Sequence, residues 1–165
     1  MTKTILITGG SRGIGRATAL LCAQRGWNVA ISYVGNKAAA EQTRDDCQTA
    51  GGKCIIKRCD VALEEDIITL FSVALDAFGS IDAVVNNAGI VAPAQKLMDM
   101  DVERMERIFD TNILGAYIVA REATRHMARS RDGKGGVIVN VSSMAAKLGG
   151  ANEYVDYAGS KGAID

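Results

Sequence analysis

Short apolar runs alternate with longer segments of helical period along the whole chain. TILIT at 4–8 is apolar at consecutive positions and bounded by glycine, as a strand covered on both faces requires. A helix is predicted over 13–25, with Ile14, Ala17 and Leu21 on one stripe and Gly26 as its stop signal. VAIS at 29–32 predicts a second strand, and the polar segment 36–50 a second helix ended by Gly51 and Gly52. CIIKR at 54–58 makes a third strand. Ile67, Phe71, Ala74 and Phe78 recur at helical spacing, so 63–78 predicts a third helix stopped by Gly79. AVVN at 83–86 and VIVNV at 137–141 complete the strands, with one long helix over 101–130 between them. A last helix begins near Tyr154.

Strands alternating with helices imply right-handed βαβ units and an α/β fold, a doubly wound parallel sheet of the Rossmann-like kind. No repeat, low-complexity run or linker divides the chain, so 1–165 reads as a single domain. Composition narrows the function. Nineteen basic residues balance nineteen acidic ones, which gives no pull toward nucleic acid or an anionic membrane. No apolar run approaches the ~20 residues of a membrane span, and MTKTILITGG lacks signal-peptide architecture. A cytoplasmic location is the expectation. Cys22, Cys47, Cys54 and Cys59 form no CxxC pair and have no clustered histidines beside them, so no metal site is expected, and no disulfide framework either. The single histidine, His126, stands among Arg121, Arg125 and Arg129 and reads as part of a solvated helix face.

Glycine is the compositional outlier, with 18 residues, and its placement carries the chemistry. TGGSRGIG at 8–15 follows the first strand and opens the first helix. A helix start offers free backbone N–H groups and a positive dipole end, which attract a phosphate. Gly9, Gly13 and Gly15 let the backbone turn sharply and approach such a ligand without a Cβ in the way. The alternative is a glycine-rich turn that binds nothing. In dinucleotide sites an acidic residue about 20 positions on holds the ribose 2′-hydroxyl. Here the second strand runs out through Ser32, Tyr33, Val34, Gly35 and Asn36 without a carboxylate, and Arg12 stands in the loop. NADP(H) is therefore favoured over NAD(H).

TGGSRGIG resembles the TGxxxGxG cofactor motif of the short-chain dehydrogenase/reductases. Further matches follow in order: Asp60-Val61 after the third strand, NNAG at 86–89 after the fourth, and YAGSK at 157–161 as the family's YxxxK. The resemblance implies a cofactor held by Gly9, Ser11, Arg12, Gly13, Ile14 and Gly15, by the adenine-contacting pair Asp60 and Val61, by Asn87, Ala88 and Gly89, and by Tyr157 and Lys161. It also implies the strand order 3-2-1-4-5, a homodimer or homotetramer, and a chain that lacks the family's C-terminal third.

Apart from any family, Tyr157 and Lys161 share a helix face at i and i+4. An ammonium ~4 Å from a phenol, at an effective dielectric of ~20, contributes roughly 4 kcal/mol toward the phenolate. That is enough for acid–base work near neutral pH. An ordinary surface Tyr/Lys pair is the competing reading. Ser143 follows the fifth strand, where a hydroxyl can donate into the ligand crevice or simply cap a turn. Asn112 falls on the apolar stripe of Met105, Ile108, Phe109, Ala116 and Val119, so it is either a structural buried amide or holds something polar. The resemblance makes Asn112, Ser143, Tyr157 and Lys161 a catalytic tetrad, with Ser142 the neighbour in an SS pair. It implies hydride transfer between a nicotinamide and a small carbonyl or secondary alcohol, of the 3-oxoacyl thioester, sugar or small ketone class. A dinucleotide-binding module without turnover is the alternative. A nucleotide-sugar epimerase is disfavoured, because those show TGxxGxxG spacing.

Overall fold

A computed structural model of the chain describes residues 2–165. Five parallel strands, β1 (Thr4–Ile7), β2 (Asn28–Tyr33), β3 (Cys54–Arg58), β4 (Ala83–Asn86) and β5 (Val137–Asn140), form one sheet in the order β3-β2-β1-β4-β5. The consecutive apolar residues of the strands divide between two cores. Ile5, Ile7, Val29, Ile31 and Val85 face α1 (Gly13–Gln24) and α2 (Lys37–Thr49), where Ala19, Ala23 and Cys47 meet them. Leu6, Ala30 and Val84 point the other way, onto Ile67, Leu70 and Phe71 of α3 (Glu64–Phe78) and the neighbouring helix from the second half of the chain. Alternation along each strand therefore feeds both faces, and a continuous apolar run is the result.

Two expectations need correction. The stripe Ile14, Ala17, Leu21 is not the face that α1 buries: Ile14 and Leu21 are exposed, and the helix docks through Gly15, Ala19 and Ala23. Both stripes have helical period, but the small residues let α1 lie close against the strands. The long helix expected over 101–130 is α4 (Val102–Phe109), a π-helical turn (Asp110–Leu114) and α5 (Gly115–Met127), followed by a 3₁₀ turn, Arg129–Arg131. Backbone angles stay helical through the junction, so the axis continues while one turn is widened. Gly115 follows that turn, and a Cβ there would collide with the Val61 carbonyl.

Beyond β5, a short α6 (Ala145–Leu148) leads to α7 (Val155–Gly162). β5 forms the outer edge, with Val137 and Val139 exposed. The buried face of α7 is mostly polar: Asp156, Ala158, Ser160 and Lys161. Among the described residues, no helix is long and apolar enough to cross a membrane.

Phe71 is fully buried in the α3 core and its ring stacks on His126 at 5.8 Å. Phe71→Ala is expected to lower unfolding free energy by about 3–5 kcal/mol in a denaturant titration.

Candidate active site

β1 and β4 are neighbours although β2 and β3 intervene in sequence, so the chain switches direction across the sheet at this point. The loops leaving the two strands diverge and open a crevice, the position where doubly wound sheets bind ligands. Thr8 Oγ1 accepts from the N–H groups of Asn87 (3.0 Å) and Ala88 (2.9 Å). In return, Asn87 Nδ2 donates to the carbonyls of Thr8 (2.8 Å) and Gly9 (3.1 Å). On the other side, Ser32 Oγ accepts the Gly9 N–H at 3.0 Å.

This packing has no room for side chains. A Cβ on Gly15 would stand 2.5 Å from the Gly9 carbonyl oxygen and 2.7 Å from Asn87 Nδ2. Gly9 and Gly13 have φ of +65° and +55°, and a Cβ on Gly13 would project into open space rather than into protein. Arg12, at the N-cap of α1, gives no side-chain cap, and the first turn holds no acidic residue. By contrast, α2 and α4 are capped by Asn36 and Asp101, and α3 carries Glu64, Glu65 and Asp66 in its first turn. The start of α1 thus offers free N–H donors and uncompensated positive dipole beside a bare glycine surface, which fits the phosphates of a dinucleotide.

The cleft at this fork encloses about 610 Å³. Gly9, Ser11, Arg12, Gly13 and Ile14 line one wall, Asp60 and Val61 another, and Asn87, Ala88 and Gly89 a third. Gly15 lies behind the wall, as the close approach requires. Asp60 folds into a turn in which its Oδ1 accepts the Ala62 N–H at 3.0 Å. Arg107 and Thr111, which the sequence reading passed over, also line the cleft from α4 and the π turn. Their i, i+4 spacing beside Asn112 was the available signal. Cys59 borders the cleft too, where burial pushes its thiol up to about 12. The four cysteines are free thiols; its hydrogen bond to Cys47, then burial, push Cys54 up as well.

Gly89 marks where the cleft meets the second cluster. A Cβ there would lie 3.3 Å from Asn112 Oδ1 and 3.4 Å from Lys161 Nζ. Asn112 is buried and paired at both ends of its amide. Oδ1 accepts the Ile90 N–H (2.8 Å), while Nδ2 donates to the Ile90 carbonyl (2.8 Å) and to Ser160 Oγ (3.0 Å). Lys161 Nζ donates to the Val141 carbonyl at 2.8 Å, and burial pushes its ammonium below the ordinary lysine range. The same ammonium stands 5.8 Å from the centroid of the half-buried Tyr157 ring, a through-space charge rather than a contact. Ser143 sits after β5 with its Oγ accepting the Ala145 N–H (3.2 Å), which leaves the hydroxyl proton free to donate. The serine bonded to α7 is Ser142, which donates to the Lys161 carbonyl at 3.3 Å.

The sequence reading also missed an ion pair immediately before Tyr157. Asp156 and Arg104 are both buried and joined at 2.8 Å. Burial pushes the Asp156 carboxyl up, but the guanidinium and the Tyr157 N–H outweigh it and hold the carboxyl below its usual range.

A family model described as short chain dehydrogenase matches residues 3–165. The chain is 46% identical to the uncharacterized oxidoreductase YgfF of Escherichia coli (strain K12), over 97% of its own length and 65% of that protein's. It is 40% identical to an L-rhamnose 1-dehydrogenase (NAD(P)(+)) of Sphingomonas sp. (strain SKA58), covering 90% of this chain and 57% of the relative. Its backbone superposes on an NADH-dependent reductase, A1-R′, complexed with NAD, with TM-score 0.91, 29% identity, and 99% and 68% coverage. With the glycine loop, the β1/β4 fork and these matches in agreement, the chain belongs to the short-chain dehydrogenase family. It spans roughly three-fifths to two-thirds of the length of these relatives.

Two outcomes follow from the geometry. Gly15→Ala must push the 8–15 loop away from Asn87, and should weaken dinucleotide binding roughly tenfold or more, about 1.4 kcal/mol, in a fluorescence titration. Asp156 has a folded-state value below the unfolded one of about 3.9. Its stabilising contribution is thus complete above that pH and lost as pH falls through the lower folded value. An Asp156→Asn variant is expected to show a shallower loss of urea stability than wild type between about pH 5 and 2.

Proposed function

We propose that this chain carries the cofactor-binding and catalytic residues of an NADP(H)-dependent oxidoreductase acting on a carbonyl or secondary alcohol. The observation that carries the reading is the convergence at Gly89, where a phosphate-ready loop adjoins the buried Lys161 ammonium and the Tyr157 phenol. When bound, the nicotinamide supplies or takes the hydride at its C4.

In the reducing direction, Ser143 donates its free hydroxyl proton as a hydrogen bond to the substrate oxygen and polarises the carbonyl. Tyr157 delivers a proton to that oxygen as the carbon gains the hydride, leaving a phenolate beside the Lys161 ammonium. Lys161 stabilises that negative charge and, as the family resemblance implies, orients the nicotinamide ribose. In the oxidising direction Tyr157 takes the alcohol proton instead. Both Nδ2 donors of Asn112 are engaged, so its part in a proton route runs through a remaining lone pair on Oδ1 and the Ile90 carbonyl it anchors.

NADP(H) is preferred in this reading because Ser32 to Asn36 bring no carboxylate to the ribose end of the cleft, while exposed Arg12 stands at its lip. A carboxylate there would repel a 2′-phosphate; a guanidinium attracts one. The relative named for NAD(P)(+) agrees with tolerance of either cofactor, and the NAD-bound reductase weighs toward NAD. The substrate belongs to the 3-oxoacyl thioester, sugar or small ketone class. The protein is cytoplasmic and assembles as a homodimer or homotetramer, for which the exposed Val102, Phe109 and Tyr117 of α4 and α5 supply apolar surface. A dinucleotide-binding module without turnover is the second reading.

A panel of carbonyls and alcohols, followed by NADPH and NADH absorbance, tests the reading. Turnover should be faster with NADPH, and Arg12→Ala should reduce binding of NADPH more than of NADH. Tyr157→Phe should abolish turnover while leaving the NADPH dissociation constant within about twofold of wild type. Substantial activity in that variant would remove Tyr157 from its role. NADPH binding with no turnover across the panel would favour the second reading.

A further inference from the structure

Arg104 is a buried cation outside the dinucleotide cleft, with each guanidinium N–H nitrogen hydrogen-bonded. Its Nε and Nη2 form a fork on Asp156, at 2.8 and 3.3 Å. Its Nη1 donates to the Pro93 carbonyl (2.7 Å) and to Gln95 Oε1 (3.0 Å). Asp156 Oδ1 accepts the Tyr157 N–H as well, at 2.9 Å. One guanidinium therefore ties α4 to the start of α7 and to the segment that follows NNAG. Gln95 closes the same triangle by donating its N–H to the Glu153 carbonyl at 2.7 Å.

Two turns further along, Asn112 repeats the arrangement. It grips Ile90 of the same segment and Ser160 of the same helix. Ser160 in turn donates to the Tyr157 carbonyl at 2.7 Å. The backbone of Tyr157 is thus held at its N–H through Asp156 and at its carbonyl through Ser160. Lys161 follows directly after the second pin.

Resting on the oxidoreductase reading above, we infer that Arg104 is a positioning residue for the Tyr157–Lys161 pair, fixing the rotation and height of α7 against the residue 90–95 segment through Asp156. An apolar contact would hold α7 near the sheet but would tolerate sliding, whereas a planar fork with two further bonds admits one arrangement. A displacement of about 1 Å at the reacting groups can cost on the order of a hundredfold in rate.

The test uses the native full-length protein with Arg104→Met, Arg104→Lys and the double variant Arg104→Met/Asp156→Asn. Arg104→Met should lower kcat by about tenfold to a hundredfold, with the NADPH dissociation constant within about twofold of wild type. Lysine keeps the charge but not the fork, so Arg104→Lys should fall between. In the double variant no buried carboxylate is left unpaired, so thermal stability should recover while kcat stays low. Hydrogen exchange provides an arm independent of turnover: peptides covering 90–95 and 153–162 should exchange faster in Arg104→Lys, with β1 and β4 peptides unchanged.

If kcat recovers in step with thermal stability in the double variant, the pair is only structural and the inference fails. It fails equally if exchange at 153–162 matches wild type. Should Arg104→Met not fold, Arg104→Lys and the double variant still decide the question. A failure of the oxidoreductase reading looks different: wild type would be inactive across the panel, or Tyr157→Phe active, while the exchange result stood by itself.

Discussion

The close approach of two backbones at the β1/β4 fork is the constraint on which everything else in the chain depends. The loop after Thr8 lies so near Asn87 and Ala88 that a single added methyl at Gly15 would have to displace main chain. Thr8 and Asn87 convert that proximity into four hydrogen bonds, each loop satisfying groups of the other. The first-turn donors of α1 are left facing the cleft, and the β4 loop is set so that Gly89 falls between Asn112 and Lys161. One contact therefore sets both the glycine loop and the position of Gly89.

The second organising feature is how α7 is attached. The buried face that α7 presents over Val155–Gly162 is mostly polar. It is held by buried polar pairs, Arg104 with Asp156 and Asn112 with Ser160, and by the reach of Lys161 to the Val141 carbonyl. Such pairs add modest net stability when complete, but leave an uncompensated buried charge when one partner is removed. What they supply is a single geometry.

Much of this was legible in the sequence. Apolar runs located all five strands within a residue or two, and the alternation of strands and helices gave the parallel sheet. TGGSRGIG and NNAG marked the cleft because glycine at those offsets has a mechanical reason to be there. The errors share a cause. Helical periodicity finds every stripe of a helix but does not weigh them by size, so Ile14 and Leu21 were preferred to Gly15, Ala19 and Ala23. Periodicity is also blind to a widened turn, which leaves composition unchanged, and the π turn therefore passed as plain helix. The charge of Arg104 suggests exposure. Yet it stands in the i, i+4, i+8 series with Ile108 and Asn112, on the face that carries a buried asparagine.

That widened turn carries a consequence for how this chain can vary. A π turn holds one residue more than the helix needs, so everything after Leu114 is rotated by roughly 100° relative to an uninterrupted helix. Winding the turn into regular helix with the sequence unchanged would undo that rotation. Ala116, Val119 and Ala123 would then swing off the sheet, or Asn112 would leave Ile90 and Ser160. The two halves of this helix are thus indexed against each other by a single extra residue: losing one residue inside the turn can leave both faces in place, whereas losing one within α4 or α5 turns one half against the other.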